Sequence, residues 1–216
     1  VYFLSKHNLF PSSEFHGYKK DFEKLDIQMK NEAMAQSHER LKLIFKGKTD
    51  VDQPYIKNSA YGQKKTLSKI INGKKEVKIL IASHSFYDSP NGIGKILFPD
   101  FYEWLEFLGK ISEETDYDWY LKTHPDYRLE TMEVVKGLVQ RFPRFTLLPA
   151  DASHHQIIKE GIDVALTVYG TIGFEYAALG LPVINCSRVN PHIAYNFNIH
   201  PKDKEEYRDL LLDLEN

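Results

Sequence analysis

The stretch Val164-Ala165-Leu166-Thr167-Val168-Tyr169-Gly170-Thr171-Ile172-Gly173-Phe174-Glu175-Tyr176-Ala177-Ala178-Leu179-Gly180-Leu181-Pro182-Val183-Ile184-Asn185 reads as strand, turn, helix and strand in succession. Val164 to Val168 is a short β-branched and aliphatic run bounded at once by a small-residue turn. Thr171 to Leu179 carries apolar residues at helical spacing, and Gly180 precedes a second run at Pro182 to Asn185. Two such strands joined by a helix form a βαβ unit, which requires a parallel sheet and a right-handed crossover.

Working outward, the same alternation recurs. Further strand runs lie at Val77 to Ala82, Trp119 to Lys122 and Phe145 to Leu148. Amphipathic helices are predicted over Pro99 to Ser112, Arg128 to Phe142 and Ser153 to Glu160, with a last one over Lys204 to Leu214. The fold class is therefore α/β: a Rossmann-like parallel sheet flanked by helices over 77–216. Residues 1–76 lack a strand run. Tyr18 to Phe45 is predicted as one helix ended by Gly47-Lys48-Thr49-Asp50, followed by a Lys-rich connector. The expected organisation is a helical connector, or the remnant of an N-terminal acceptor domain, ahead of a single Rossmann-like domain. The start at Val1 without Met leads to the expectation of a piece of a longer protein.

Composition narrows the function. The 28 Lys and Arg nearly balance the 30 Asp and Glu, leaving a formal charge of −2 across 216 residues. This argues against a nucleic-acid partner gripped by a blanket of positive charge. No apolar run reaches the ~20 residues of a bilayer span, and the N-terminal stretch is not patterned as a signal peptide. Cytoplasmic residence is expected, with room for a peripheral seat at the inner membrane. The lone Cys186 fits a reducing compartment and is read as packing rather than as a nucleophile.

In an open parallel sheet, ligands bind beyond the carboxyl ends of the strands. The residues there are Ser83-His84-Ser85-Phe86-Tyr87-Asp88, Thr123-His124-Pro125, Pro149-Ala150-Asp151, Tyr169-Gly170-Thr171-Ile172-Gly173 and Cys186-Ser187-Arg188. Thr171 is predicted to cap the helix it opens, and Gly170 and Gly173 to admit an anion to bare amides. Glu175, one turn deeper, would accept hydrogen bonds from vicinal hydroxyls such as a ribose's. Pro125 holds His124 extended, so its imidazole should project over the sheet edge to face a leaving phosphate. His84 and Asp88 are the candidates for acid/base work.

Other chemistries fail on spacing. A Walker A loop ending at Lys95 would need Gly where Ser89 stands and Ser or Thr where Ile96 stands. No Gly-x-Ser-x-Gly elbow exists. His154 and His155 are adjacent and so point to different helix faces, Asp50 and Asp52 lack the rest of a calcium loop, and no bound metal is expected.

Lys122-Thr123-His124-Pro125, Leu148-Pro149 with His154 and Ile157, Asp163, and Tyr169 through Val183 together resemble the nucleotide-binding half of GT-B glycosyltransferases, closest to the bacterial capsule and surface-polysaccharide type. The similarity spans roughly 77–200. It implies that His124 contacts the donor phosphate and that Thr171, with the neighbouring amides of Tyr169, Gly170, Ile172 and Gly173, binds the same group; charge stabilisation of the departing phosphate is then expected from His124, Lys122 and the helix at Thr171. It further implies that Glu175 holds the ribose and that Leu148 and His154 flank the base. The implied partners are a CMP-, UDP-, CDP- or GDP-linked sugar and a glycan acceptor. The general base would come from an N-terminal domain, so this chain alone is expected to bind without turnover. A sugar-nucleotide 2-epimerase or a non-catalytic GT-B scaffold is the alternative.

Overall fold

The structure is a computed structural model, and it describes residues 15–49, 58–62, 68–86, 96–126 and 129–215. Among them run helices α1 (Tyr18–Lys24) and α2 (Ile27–Phe45), then β1 (Lys78–Ala82), α3 (Phe101–Glu114), β2 (Asp118–Lys122), α4 (Leu129–Arg141), β3 (Phe145–Leu147), α5 (His154–Lys159), β4 (Val164–Thr167), α6 (Ile172–Ala178), β5 (Val183–Asn185) and α7 (Lys204–Leu212). A 3₁₀ turn at Pro191–Ala194 precedes α7. Every strand pairing is parallel, in the order β3-β2-β1-β4-β5. The architecture is thus Rossmann-like α/β, as the alternation of runs predicts.

Side-chain alternation along the strands divides the core into two layers. Ile79, Ile81, Trp119, Leu121, Leu166 and Ile184 face α3, α4 and α7, meeting Trp104, Leu108, Val135, Leu138 and Tyr207. Leu80, Tyr120, Ala165 and Val183 face the other way, toward Ile157 and Tyr176. The two buried indoles are paired: Trp104 Nε1 donates to Tyr207 Oη at 3.1 Å and Trp119 Nε1 to Thr115 Oγ1 at 3.1 Å. Cys186 is fully buried in the first layer, and burial pushes its thiol well up, which suits packing.

The single helix predicted over Tyr18 to Phe45 is two. The chain is extended at Leu25, and Asp26 caps α2 by accepting from the Met29 amide at 2.8 Å. A capping aspartate just before Ile27 competes with helix continuity and wins. Gly47, at φ 81°, ends α2 in the left-handed region, as expected.

The N-terminal section is packed on the sheet domain. Tyr61 and Ile71 are buried in the second core layer, with Ile44 and Phe45 packed against it. The amide of His154 donates to Ala60 O at 2.9 Å, and Ser153 Oγ donates to Tyr61 O at 3.2 Å. Lys78 N donates to Asp163 Oδ2 at 2.8 Å, tying the foot of β1 to that of β4. Among the described residues no helix is long and apolar enough to cross a membrane.

Candidate functional site

Chain order sends β2 and β3 to one side of β1 and β4 and β5 to the other. The crevice between the ends of β1 and β4 is therefore the switch point, where neighbouring loops diverge and leave room for a ligand. A cleft of about 440 Å³ lies there, within the range of small-molecule sites. It is lined by the last residues of three strands and the residues that follow them: Ala82, Ser83 and His84 at β1, Lys122, Thr123 and His124 at β2, and Thr167, Tyr169, Gly170 and Thr171 at β4. Glu175 and His154 close one side. Arg40, Ile44, Lys48 and Thr49 of the N-terminal section, with Asn58 to Tyr61, complete the lining.

His124 and the turn at Thr171 line this same cleft, as the sequence predicts. The Asp126 amide donates to His124 Nδ1 at 3.1 Å, which places the ring proton on Nε2 and leaves that nitrogen as a donor. Asp126 also receives both the backbone amide and the side-chain amide of Asn58, at 3.2 and 2.8 Å. One loop thus orients the imidazole and ties Asn58 of the N-terminal section to the end of β2.

Lys122 is almost wholly buried, its ammonium held by the carbonyls of Ala150 at 3.2 Å and Thr123 at 3.4 Å. Burial lowers its pKa from 10.5 to about 8, with the Asp151 carboxylate acting in the opposite sense. Beside it, Ser83 Oγ and Thr123 Oγ1 are buried without a hydrogen-bond partner, although hydroxyls at such depth are normally paired. Both residues line the cleft. A ligand with acceptor oxygens would satisfy them.

His84 does not suit the acid/base role expected of it. Its Nε2 accepts from the Tyr169 amide at 3.4 Å and lies 3.3 Å from Thr167 Oγ1, while the ring stacks on Phe101 with centroids 4.8 Å apart. Burial, and secondarily His124, lower its pKa to about 3, so it is uncharged near neutrality. It fixes the turn after β4 instead. Asp88, the other acid/base candidate, and Lys95 lie outside the described residues.

Three further expectations change. Thr171 makes no side-chain cap and itself has helical dihedrals of −58° and −22°. The amides of Gly173 and Phe174 are already spent on Gly170 O at 3.0 Å and Thr171 O at 3.1 Å. Gly170 borders the cleft, but Gly173 faces away: a Cβ there would meet the His192 ring at 2.5 Å and Asn198 Nδ2 at 2.8 Å. Leu148 packs in the second core layer and does not line the cleft. Tyr169 and Ile172 do line it.

Glu175 lies buried at the cleft wall, where its Oε2 accepts from Tyr61 Oη at 2.9 Å. Burial first, then the Glu175 charge, push the Tyr61 phenol well up, so it stays a donor. His154 Nδ1 is hydrogen-bonded to Tyr176 Oη, and burial followed by the charge of Lys122 drives the imidazole well below its ordinary range. His155 turns to the Phe45 carbonyl at 2.8 Å, so the adjacent histidines part company as predicted.

Arg40, Lys48, Asn58 and Tyr61 belong to the cleft without having been read from the sequence. They sit in a polar section with no strand periodicity, and only tertiary packing carries them to the sheet edge. No protein-family model matches this chain, and no curated protein matches it either.

Proposed function

We propose that this chain is the donor-binding half of a metal-independent GT-B glycosyltransferase, moving a sugar from a nucleotide donor to a surface or capsular glycan. The observation that supports this reading is the meeting of His124, Lys122 and the orphaned hydroxyls of Ser83 and Thr123 in one cleft at the switch point of a parallel sheet. In the transfer, an acceptor oxygen attacks the anomeric carbon and the bond from that carbon to the phosphate oxygen breaks. The phosphate departs with the electron pair, and the acceptor's proton passes to a base. Charge grows on the leaving phosphate, so donors aimed at that position lower the barrier. His124 Nε2–H and the Lys122 ammonium are the donors assigned to it. Glu175, held by Tyr61, is assigned to the ribose hydroxyls.

Isothermal titration of the chain with UDP, CDP, GDP and CMP tests the reading. Binding of at least one, weakened at least tenfold in His124→Ala, is the expected result. No heat from any of the four would end the proposal.

A further inference from the structure

His124 shares its loop with a carboxylate that competes for its proton. Asp126, two residues on, carries both a backbone amide and a carboxylate in this neighbourhood. The amide is the group that meets the ring, donating to Nδ1 at 3.1 Å. The carboxylate is turned to the N-terminal section, where its Oδ1 accepts from the Asn58 backbone amide at 3.2 Å and from the Asn58 side chain at 2.8 Å. Two donors from one residue, 68 positions away in sequence, converge on one oxygen. Asn58 and His124 both line the cleft.

Which group of Asp126 faces the ring decides what His124 offers a ligand. An amide N–H at Nδ1 requires that nitrogen to be bare, and the ring proton then sits on Nε2. A carboxylate at Nδ1 would draw the proton to that side, as carboxylates paired with imidazoles do, and Nε2 would become an acceptor. A donor binds phosphate oxygens, and an acceptor repels them.

We infer that Asn58 is a positioning residue for His124: by holding the Asp126 carboxylate it keeps the Asp126 amide on Nδ1 and the Nε2 proton available to a phosphate in the cleft. The use of that proton rests on the nucleotide-binding reading above, whereas the tautomer itself does not. The N-terminal section thus enters the site by fixing a proton as well as by adding to the lining. Asn58 is exposed, and its segment is anchored separately, through the carbonyls of Ala60 and Tyr61, to the start of α5. Removing the side chain should therefore spare the fold. Asn58→Ala deletes the shorter of the two bonds and retains the backbone one.

Nitrogen-15 NMR of the ligand-free chain at about pH 8, above the ordinary imidazole range, tells a protonated ring nitrogen from a bare one. The His124→Ala spectrum identifies the His124 signals. In the native chain Nδ1 should be bare and Nε2 protonated, and in Asn58→Ala a form protonated at Nδ1 should appear. Nucleotide titrations then form a cycle with His124→Ala. Asn58→Ala should weaken the best-bound nucleotide about threefold to tenfold in the native background, the range of one hydrogen bond. In the His124→Ala background the same change should cost less than about twofold, because a residue that acts through the imidazole has nothing to act on once the ring is gone. Urea midpoints check that each variant is folded. Losses that add in the double variant would make Asn58 a direct ligand contact and overturn the positioning role, as would a tautomer that Asn58→Ala leaves unchanged. If no nucleotide binds the native chain, the nucleotide reading falls, and the NMR comparison alone decides whether Asn58 sets the imidazole.

Discussion

The phenol of Tyr61 donates to Oε2 of Glu175 at 2.9 Å, joining the N-terminal section to α6 across 114 positions of sequence. Both groups are buried, so the bond replaces water that neither can reach. A charge-assisted bond in this setting contributes about 1.5–3 kcal/mol. Tyr61→Phe should lower stability by that order in urea denaturation. It should also weaken nucleotide binding, because Glu175 would lose the partner that orients it. Unchanged stability would mean that water or another group takes over the carboxylate.

His124 should matter to the ligand and little to the fold. It is half-buried at the cleft, and its Nδ1 accepts a hydrogen bond from the amide of Asp126 in its own loop. His124→Ala should reduce nucleotide affinity about tenfold to a hundredfold, with a change in melting temperature of no more than a few degrees. A large loss of stability with intact binding would make the imidazole a structural brace.

Lys122 gives a pH signature. Its pKa falls from 10.5 in the unfolded chain to about 8 in the fold, so between those values the unfolded state holds a proton that the native state has released. Stability contributed by this residue therefore rises with pH from 8 to 10.5, and the cost of its buried charge is fully present below 8. A bound phosphate favours the ammonium and reverses this trend for the ligand. Nucleotide affinity should fall as pH passes 8, approaching about tenfold per pH unit if only the protonated form binds. Lys122→Met should lose that dependence, which titrations at pH 7, 8 and 9 would reveal.

Acid should weaken the protein before its carboxylates titrate in the unfolded chain. Burial lowers His84 to about 3 and His192 to about 4, with His124 and His200 as the respective secondary causes, and it takes His154 well below 6.5. Between those values and 6.5 the unfolded chain binds protons that the native one refuses. The stability they contribute is complete above 6.5 and is lost as pH falls through the folded values. Urea midpoints should drop steadily from pH 7 to 4.5, and the resonances of His84 should show no titration above pH 5.

How far the sequence announces this molecule depends on how far apart its partners lie. The strands are legible because Ile79 to Ile81 and Val164 to Leu166 are continuous apolar runs, the mark of strands covered on both faces. Residues at the ends of those runs are legible as site candidates because topology alone collects them, and Lys122, His124, Gly170 and Thr171 do meet in the cleft. What escapes is anything set by long-range packing. Nothing local tells that Tyr61 reaches Glu175, that the Tyr169 amide occupies the imidazole of His84, or that Arg40 lies over Phe174. The break before α2 was readable, since Asp26 stands where a cap belongs.

Gly173 separates a packing role from a ligand role. Its missing Cβ makes room for the His192 ring and Asn198 Nδ2, which a methyl group would meet at 2.5 and 2.8 Å. His192 is buried, and its Nδ1 lies 3.4 Å from Asn198 Nδ2, so the ring has little freedom to retreat. Gly173→Ala should therefore cost about 1–3 kcal/mol through overpacking, with nucleotide affinity unchanged in the folded fraction. Gly170→Ala should behave differently, because its Cβ would enter the cleft side at 3.1 Å from Thr167 Oγ1 and 3.4 Å from the His84 ring. There the expected loss is in binding. Gly137→Ala in α4, where a Cβ meets nothing within 4 Å, serves as the reference and should stabilise by about 0.5–1 kcal/mol. Urea denaturation and nucleotide titration on the three variants distinguish these outcomes. Loss of binding in Gly173→Ala without loss of stability would return that glycine to the anion site.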